Sequence, residues 1–251
     1  NIVMNESKYA NYKENRDFLG AIIGPVAGRI QDSSFELDGE HYKLIANDGN
    51  HHLHGAHQGF HKVLWDSETF EEKNKVGLIL SHQSSHLEDG YPGTIHVTVT
   101  YTLNQDNTLN ITYEAVTDQV TALTLTNHTY FNLSGNLKRS IHDHKVTMNS
   151  DCFIELDDDL IPTGQKLPVE GTPFDFRQGR KLGTGIENGA HQNNIVGNGY
   201  DHYFIFSDHN SGHVTVQEEQ SGRLLKIKTN QPGMVMYTAN NFSDREKIHY
   251  G

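Results

Sequence analysis

The stretch "TIHVTVTYTLNQDNTLNITYEAVT", residues 94–117, decides the fold class. Apolar side chains occupy every second position from Ile95 to Leu103, and the same alternation resumes from Leu109 to Ala115. A period of two is typical of a strand with one buried face, and β-branched residues favour strands. Because the polar residues 104–108 separate the two runs, the stretch predicts a β-hairpin.

The same pattern recurs in the rest of the chain. Residues 213–229, "HVTVQEEQSGRLLKIKT", predict a second hairpin, with Gly222 supplying positive φ at its turn. Further strands are predicted at "VGLILSHQ", "TALTLTNHTYF" and "YDHYFIF", and a helical pattern is suggested only near residues 177–187. The sequence therefore predicts an all-β protein, a large antiparallel β-sandwich. Since no linker or repeat is visible, a single domain over residues 1–251 is expected.

Composition excludes several classes of partner. With 20 basic and 32 acidic residues the formal net charge is −12, which argues against nucleic acid or an anionic membrane surface. No apolar run approaches the ~18 residues that span a bilayer, and the first residues lack the apolar core of a secretion signal. The lone cysteine, Cys152, fits a reducing compartment. A cytoplasmic protein is predicted.

The histidine-rich segment "NHHLHGAHQGFH" raises the question of a metal site. His54, His57 and His61 have the i, i+3, i+7 spacing of a helical ligand face. However, glycines between them break such a helix, and no glutamate completes an H-E-x-x-H motif. The sequence therefore predicts no metal site, and it predicts exposed loop positions for His51, His57 and His61.

Hydrolytic chemistry is also not predicted. The acidic run "ELDDDLIPTG", residues 155–164, could supply a glycosidase with paired carboxylates, but neighbouring carboxylates repel and point apart. A solvated loop before a Pro-Thr-Gly turn is the better interpretation. The chain has no G-x-S-x-G motif and no signature around Cys152, which argues against a nucleophilic hydrolase.

A set of motifs resembles those of the aldose 1-epimerases, or galactose mutarotases. The resemblance extends from about Phe18 to Phe242, with the motifs in the family's order. It implies a large antiparallel β-sandwich with a sugar in an open cleft. The motifs are "FLGAIIGPVAGRI", "NHHLHGAHQGFHKVLWD", "DGYPGTIHVTVTYTL", "LTNHTYFNLSG", "LIPTG", "GTPFDFR", "GYDHYF" and "MVMYTANNF".

The resemblance implies a role for each candidate residue. His128 matches the family's general acid, which protonates the ring oxygen, and His54 matches a second histidine near the same oxygen. Asp201 matches the aspartate that accepts hydrogen bonds from sugar hydroxyls. Arg29 matches a cleft arginine, although Pro25 stands where the family often has a second arginine. Further candidates for the cleft wall are Gln231 and Tyr237.

The implied reaction interconverts the α and β anomers of aldohexoses such as galactose and glucose. The C1 hydroxyl loses a proton, the ring oxygen gains one, the C1–O5 bond opens, and the ring closes on the other face. An acid and a base suffice, so no cofactor is expected, and imidazole can give and retake a proton near neutral pH. A non-catalytic sugar-binding or regulatory protein on the same scaffold remains the alternative. The protein is expected to be a monomer or a homodimer.

The family's general base is not found by its motif. It is a glutamate in a segment resembling "LETQ", after the region matched by "MYTANNF", and no such segment occurs up to Gly251. Glu246, in "SDREK", has none of that motif around it. The base is therefore expected beyond Gly251, and the family's first strands are expected before Asn1.

Overall fold

The computed structural model describes residues 1–6, 8–208, 212–242 and 248–249. Within these residues the chain is built mainly of short strands, with five 3₁₀ segments and two short helices. The strands are Asn5–Glu6 (β1), Ile22–Ile23 (β2), Arg29–Ile30 (β3), Ser34–Leu37 (β4), Glu40–Lys43 (β5), His52–Leu53 (β6), Asp66–Glu72 (β7), Lys75–Ser84 (β8), Ile95–Asn104 (β9), Leu109–Thr117 (β10), Thr126–Asn127 (β11), Lys145–Met148 (β12), Ser150–Leu156 (β13), Pro162–Pro168 (β14), Arg180–Lys181 (β15), Asp201–Phe206 (β16), Gly212–Glu218 (β17), Arg223–Thr229 (β18), Gly233–Tyr237 (β19) and Ile248–His249 (β20). The helices are Leu182–Ile186 (α1) and His191–Ile195 (α2), and the 3₁₀ segments are Tyr9–Lys13, Gln31–Ser33, Ala56–Gln58, Glu88–Gly90 and Ile141–Asp143.

Both predicted hairpins are confirmed. In the first, β9 and β10 pair antiparallel from Leu103↔Leu109 to Ile95↔Thr117. In the second, β17 pairs with β18, and Gly222 has the positive φ of 70° that the turn requires. All the strand pairs of the sheets are antiparallel, and the predicted all-β antiparallel class is confirmed.

Two predicted elements differ from the structure. The strand expected at "TALTLTNHTYF" is broken into the two residues of β11, which pair with the equally short β2, and isolated bridges at Thr124 and Phe131. His128 therefore follows the strand and does not lie within it. The helical pattern near residues 177–187 corresponds only to α1, which is five residues long.

The chain divides into two compact units. The first unit consists of Asn1–Leu19 and Thr129–Gly251, and the second of Gly20–His128. The expectation of a single domain stays a prediction. Among the described helices, none combines the length and the apolar composition needed to cross a bilayer.

The first unit has a sandwich-like core. Its two four-stranded sheets have the orders β15-β12-β17-β18 and β14-β13-β16-β19. Met148 and Val214 from one sheet and Phe153 and Phe204 from the other belong to one buried cluster, so apolar faces of both sheets meet there. Phe153 and Phe174 stack with ring centroids 4.0 Å apart. Burying each such large side chain stabilises the fold by about 1.5–3 kcal/mol.

The second unit is organised around the sheet β10-β9-β8-β7. Ile95, Val97 and Val99 of β9 are at most 1% exposed and pack with Phe60 and Ile22, whereas His96 between them is exposed. The alternation in the sequence thus corresponds to the two faces of this strand. Ile22 lies in β2, so this core anchors the short β2–β11 pair that precedes His128.

Candidate active site

His54 is held in an unusual backbone conformation next to β3. It follows β6, whose Leu53 pairs with Arg29 of β3. His54, Gly55 and Ala56 all have positive φ, of 56°, 80° and 53°. A left-handed conformation is uncommon for residues other than glycine and costs free energy, and such residues cluster at functional sites.

The imidazole of His54 is fixed by the backbone of Gly28. The His54 N–H donates to the Gly28 carbonyl oxygen at 3.1 Å, and the Gly28 N–H donates to His54 Nδ1 at 3.0 Å. Because a backbone N–H can only donate, Nδ1 is the unprotonated nitrogen, and the ring proton lies on Nε2. His54 is therefore a neutral imidazole that can donate one hydrogen bond from Nε2.

His128 lies against His54 within the second unit. The two ring centroids are 5.4 Å apart and the rings are nearly perpendicular, at 84°. Backbone bonds hold His128 although it is outside β11: its N–H donates to the Ala21 carbonyl at 2.9 Å, and its carbonyl accepts from the Gly20 N–H at 3.1 Å. These bonds continue the β2–β11 pairing by one step, so the backbone of His128 is held by hydrogen bonds without a regular strand.

Burial and neighbouring charges keep His54 neutral. Burial is the main cause that lowers the pKa of His54 to about 3, and the charges of His128 and Arg29 lower it further. The pKa of His61 is likewise lowered to about 4, first by burial and then by Lys62 and His128. Near neutral pH His54 is therefore a neutral imidazole.

Arg29, the predicted cleft arginine, forms an ion pair with Asp48. Its Nε donates to Asp48 Oδ2 at 2.7 Å. The Arg29 side chain is 18% exposed and that of Asp48 is 40% exposed. The second unit therefore brings Arg29, His54 and His128 into one neighbourhood, in which Asp48 is a member that the sequence analysis missed.

Asp201 and Tyr237 meet in the first unit. Asp201 begins β16 and is the register partner of Tyr237, the last residue of β19. The Tyr237 ring contacts the ring of Tyr130 at 6.0 Å between centroids, and Tyr130 also contacts Phe242 at 5.3 Å. Burial, and then the charges of Tyr237, Asp17 and Asp201, raise the pKa of the Tyr130 hydroxyl, so it stays protonated.

A buried network supports the backbone at Asp201. The Asp201 N–H donates to His202 Nδ1 at 3.2 Å, so His202 Nε2 carries the proton and donates to Gln192 Oε1 at 3.1 Å. Gln192 in turn exchanges two hydrogen bonds with the Leu156 backbone, at 3.0 and 2.8 Å. Burial lowers the pKa of His202 to about 4, so this chain rests on a neutral histidine.

The structure does not bring Gln231 to this group. Gln231 is exposed and hydrogen-bonded to its neighbour Asn230, two residues before β19, whereas Tyr237 is at the far end of that strand. At about 3.3 Å per strand residue the two lie roughly 20 Å apart. The role of Gln231 in the cleft wall stays a prediction, and neither Asp201 nor Tyr237 lies next to it. Glu246 lies outside the described residues.

The histidine-rich segment does not form a helical ligand face. A three-residue 3₁₀ segment, Ala56–Gln58, separates His54 from His61, and His57 is exposed as predicted. His51 and His61, however, are partly buried, so their predicted full exposure is wrong. His51 Nδ1 accepts a hydrogen bond from the Asp32 N–H at 3.1 Å.

Acid should destabilise the fold through these neutral histidines. His54, His61 and His202 have folded pKa values below the ordinary 6.5. The stability that their neutral forms contribute is therefore fully present above pH 6.5, and it is lost as the pH falls towards the folded pKa values of about 4 and 3. Each group should lower the free energy of unfolding by ~1.4 kcal/mol per pH unit in that window. Urea denaturation between pH 7.5 and 4.5 measures this loss.

The matched variants are His54→Gln and His96→Gln. The first should reduce the pH slope of the unfolding free energy, whereas the second replaces an exposed histidine of β9 and should leave the slope unchanged. If both variants had the same pH slope of the unfolding free energy, folding would not lower the pKa of His54.

The fold is all-β, and the second unit contains two neighbouring imidazoles, of which His54 is neutral. The aldose 1-epimerase family model matches residues 1–249. The chain is 40% identical over 241 residues to galactose mutarotase of Sus scrofa, covering 95% of this chain and 67% of that protein. It is 34% identical over 244 residues to maltose epimerase of Levilactobacillus brevis, covering 97% and 71%.

The same relationship is visible in three dimensions. The crystal structure of galactose 1-epimerase from Lactobacillus acidophilus superposes with a TM-score of 0.88 at 29% identity, covering 97% of this chain and 70% of that one. This chain belongs to the aldose 1-epimerase family.

Proposed function

We propose that this protein is an aldose 1-epimerase that interconverts the α and β anomers of aldohexoses, with galactose and glucose as the substrates. The observation that supports this proposal best is the His54–His128 pair, with its 5.4 Å ring separation and its fixed Nε2–H tautomer at His54. Relatives named galactose mutarotase and maltose epimerase support the same chemistry.

In the proposed reaction His128 donates a proton to the ring oxygen of the sugar. His54 donates a hydrogen bond from Nε2 near the same oxygen and orients it, while remaining neutral itself. Since the pKa of His54 is lowered to about 3, it does not compete with the sugar for a proton at neutral pH. The C1–O5 bond then breaks, and the aldehyde turns about C1–C2. The ring recloses as His128 takes its proton back.

Arg29 and Asp201 are proposed to bind sugar hydroxyls. A guanidinium donates several hydrogen bonds and a carboxylate accepts them, and such charge-assisted bonds are directional. The base that takes the proton of the C1 hydroxyl, and returns it when the ring recloses, is proposed to be a glutamate, as the family resemblance implies. No electrons leave the sugar in this reaction, so acid, base and hydroxyl contacts account for its chemistry.

Polarimetry of freshly dissolved α-D-galactose tests the function directly. We expect the protein to accelerate the approach to the equilibrium rotation in proportion to its concentration. Titration calorimetry on the same sample measures galactose binding. The two measurements together distinguish an epimerase from a non-catalytic sugar-binding protein. Binding without any acceleration would favour the non-catalytic sugar-binding alternative.

Replacing Asp201 with alanine should weaken substrate binding more than turnover. Losing one charge-assisted hydrogen bond costs about 1.5–3 kcal/mol, which corresponds to a ~10- to 100-fold rise in KM. Initial-rate polarimetry over a range of galactose concentrations measures the change. Asp151→Ala is the control, because Asp151 is an exposed carboxylate of the same unit that pairs with Arg177 at 3.1 Å. An unchanged KM for Asp201→Ala would make that carboxylate structural.

A cytoplasmic location and the absence of nucleic-acid and membrane partners are proposed on composition alone. The single Cys152 and the net charge of −12 support them. Whether the protein is a monomer or a homodimer stays a prediction for measurement by light scattering.

A further inference from the structure

Arg29 has unused hydrogen-bonding capacity. Within the described residues, Asp48 is the one polar partner of its side chain, through Nε. A guanidinium has five N–H donors, so four remain on the two terminal nitrogens. Since only 18% of this side chain is exposed, bulk water is a poor substitute for protein acceptors. A largely buried guanidinium with four remaining N–H donors is suited to a ligand that supplies oxygen atoms as acceptors.

Asp48 is placed by a tight turn. Its N–H donates to the His51 carbonyl at 3.1 Å, and the His51 N–H donates to the Asp48 carbonyl at 2.9 Å. Gly49, inside the turn, has the positive φ of 59° that such a connection needs. The Asp48 carboxylate therefore projects from a closed two-residue turn. Because this turn is already ordered, forming the ion pair with Arg29 does not require a flexible loop to become ordered.

The same turn is tied to the strand that pairs with Arg29. The Leu53 N–H donates to Asn47 Oδ1 at 2.7 Å, and Asn47 Nδ2 donates to the Leu53 carbonyl at 3.0 Å. Leu53 is the register partner of Arg29. The backbones that carry the guanidinium and the carboxylate are thus connected by hydrogen bonds, which fixes the separation of the two side chains.

We propose that Asp48 is a positioning residue: by binding Nε of Arg29 it fixes the guanidinium plane, so that the terminal nitrogens face the sugar hydroxyls. A free arginine side chain occupies many rotamers, and one strong bond at Nε removes most of them before substrate arrives. Asp48 also offsets the positive charge of Arg29 near His54. This inference rests on the proposed function, because it gives Arg29 a sugar as its ligand.

The test compares Asp48→Asn with the wild-type protein in galactose mutarotation and galactose binding. Asparagine keeps the size of the side chain but loses the charge that holds the guanidinium. We expect KM and the galactose Kd to rise roughly tenfold, with kcat within about twofold, because misplaced binding groups weaken the ground-state complex. The melting temperature should stay within about 3 °C of wild type, since a single partly exposed ion pair contributes little to stability.

Three further variants make the result specific. Glu72→Gln removes a carboxylate that pairs with Lys75 at 3.2 Å, also in the second unit and beside a tight turn, and it should leave KM unchanged. In an Arg29→Ala background, Asp48→Asn should add nothing, because its effect passes through Arg29. Asp48→Glu, which restores the charge, should recover part of the lost affinity.

Three results would overturn the positioning role. They are an unchanged KM and Kd in Asp48→Asn, an equal loss in the Arg29→Ala background, and a matching rise in Glu72→Gln. The second result would mean that Asp48 contacts the sugar by itself. Failure of the proposed function looks different, because then the wild-type protein would not accelerate mutarotation, while the Kd comparison would still test the role of Asp48.

Discussion

Replacing His128 with alanine is expected to cut kcat for galactose mutarotation by at least ~100-fold, the lower range for losing a general acid. The reason is the proposed division of roles between His54 and His128. His54 is kept neutral by burial and by the neighbouring charges of His128 and Arg29, with its pKa lowered to about 3. It therefore cannot replace His128 as the proton donor at neutral pH.

Polarimetry at saturating galactose measures this loss. His96→Ala is the matched control, since His96 is an exposed histidine of the same unit. Wild-type turnover in a folded His128→Ala protein would contradict the assignment of His128 as the acid.

The sequence predicts this fold well wherever a strand shows a regular alternation of apolar and polar residues. In β9, the alternation of Val97 and Val99 with polar residues is enough, because one face of a half-buried strand selects apolar side chains. The segment 121–131 shows where this logic fails. Its β-branched and aromatic residues suit a strand, but its regular pairing covers only the two residues of β11, with β2, a partner about 100 residues away in the chain. A local pattern contains no information about that partner.

The sequence predicts the residues of the candidate site but not their contacts. The motifs around His54, His128 and Asp201 indicate which residues to consider, but not how they are held. The tautomer of His54 depends on Gly28, which is 26 residues away, and no periodicity predicts that bond. Asp48 is missed for the same reason, since an Asp-Gly pair between strands is a common turn signal and its pairing with Arg29 is a tertiary contact.

Replacing His54 with alanine should lower kcat/KM about 100-fold, for a reason different from that at His128. The Gly28 N–H occupies Nδ1 and leaves Nε2–H as a donor of fixed direction. Removing one preorganised donor beside a reacting oxygen costs about 10²–10³ in rate in enzymes that stabilise developing charge this way. The loss should come from the missing hydrogen bond and not from a missing proton transfer.

Two comparisons separate these roles. His54→Gln, whose amide can still donate a hydrogen bond, should recover part of the activity lost in His54→Ala, whereas His128→Gln should recover none. The shape of the pH profile between pH 5 and 9 should be unchanged in His54→Gln, because the pKa of His54, about 3, lies below that range. If His54→Gln instead removes an ionisation from the profile, then His54 carries a catalytic proton, and the roles of the two histidines must be exchanged.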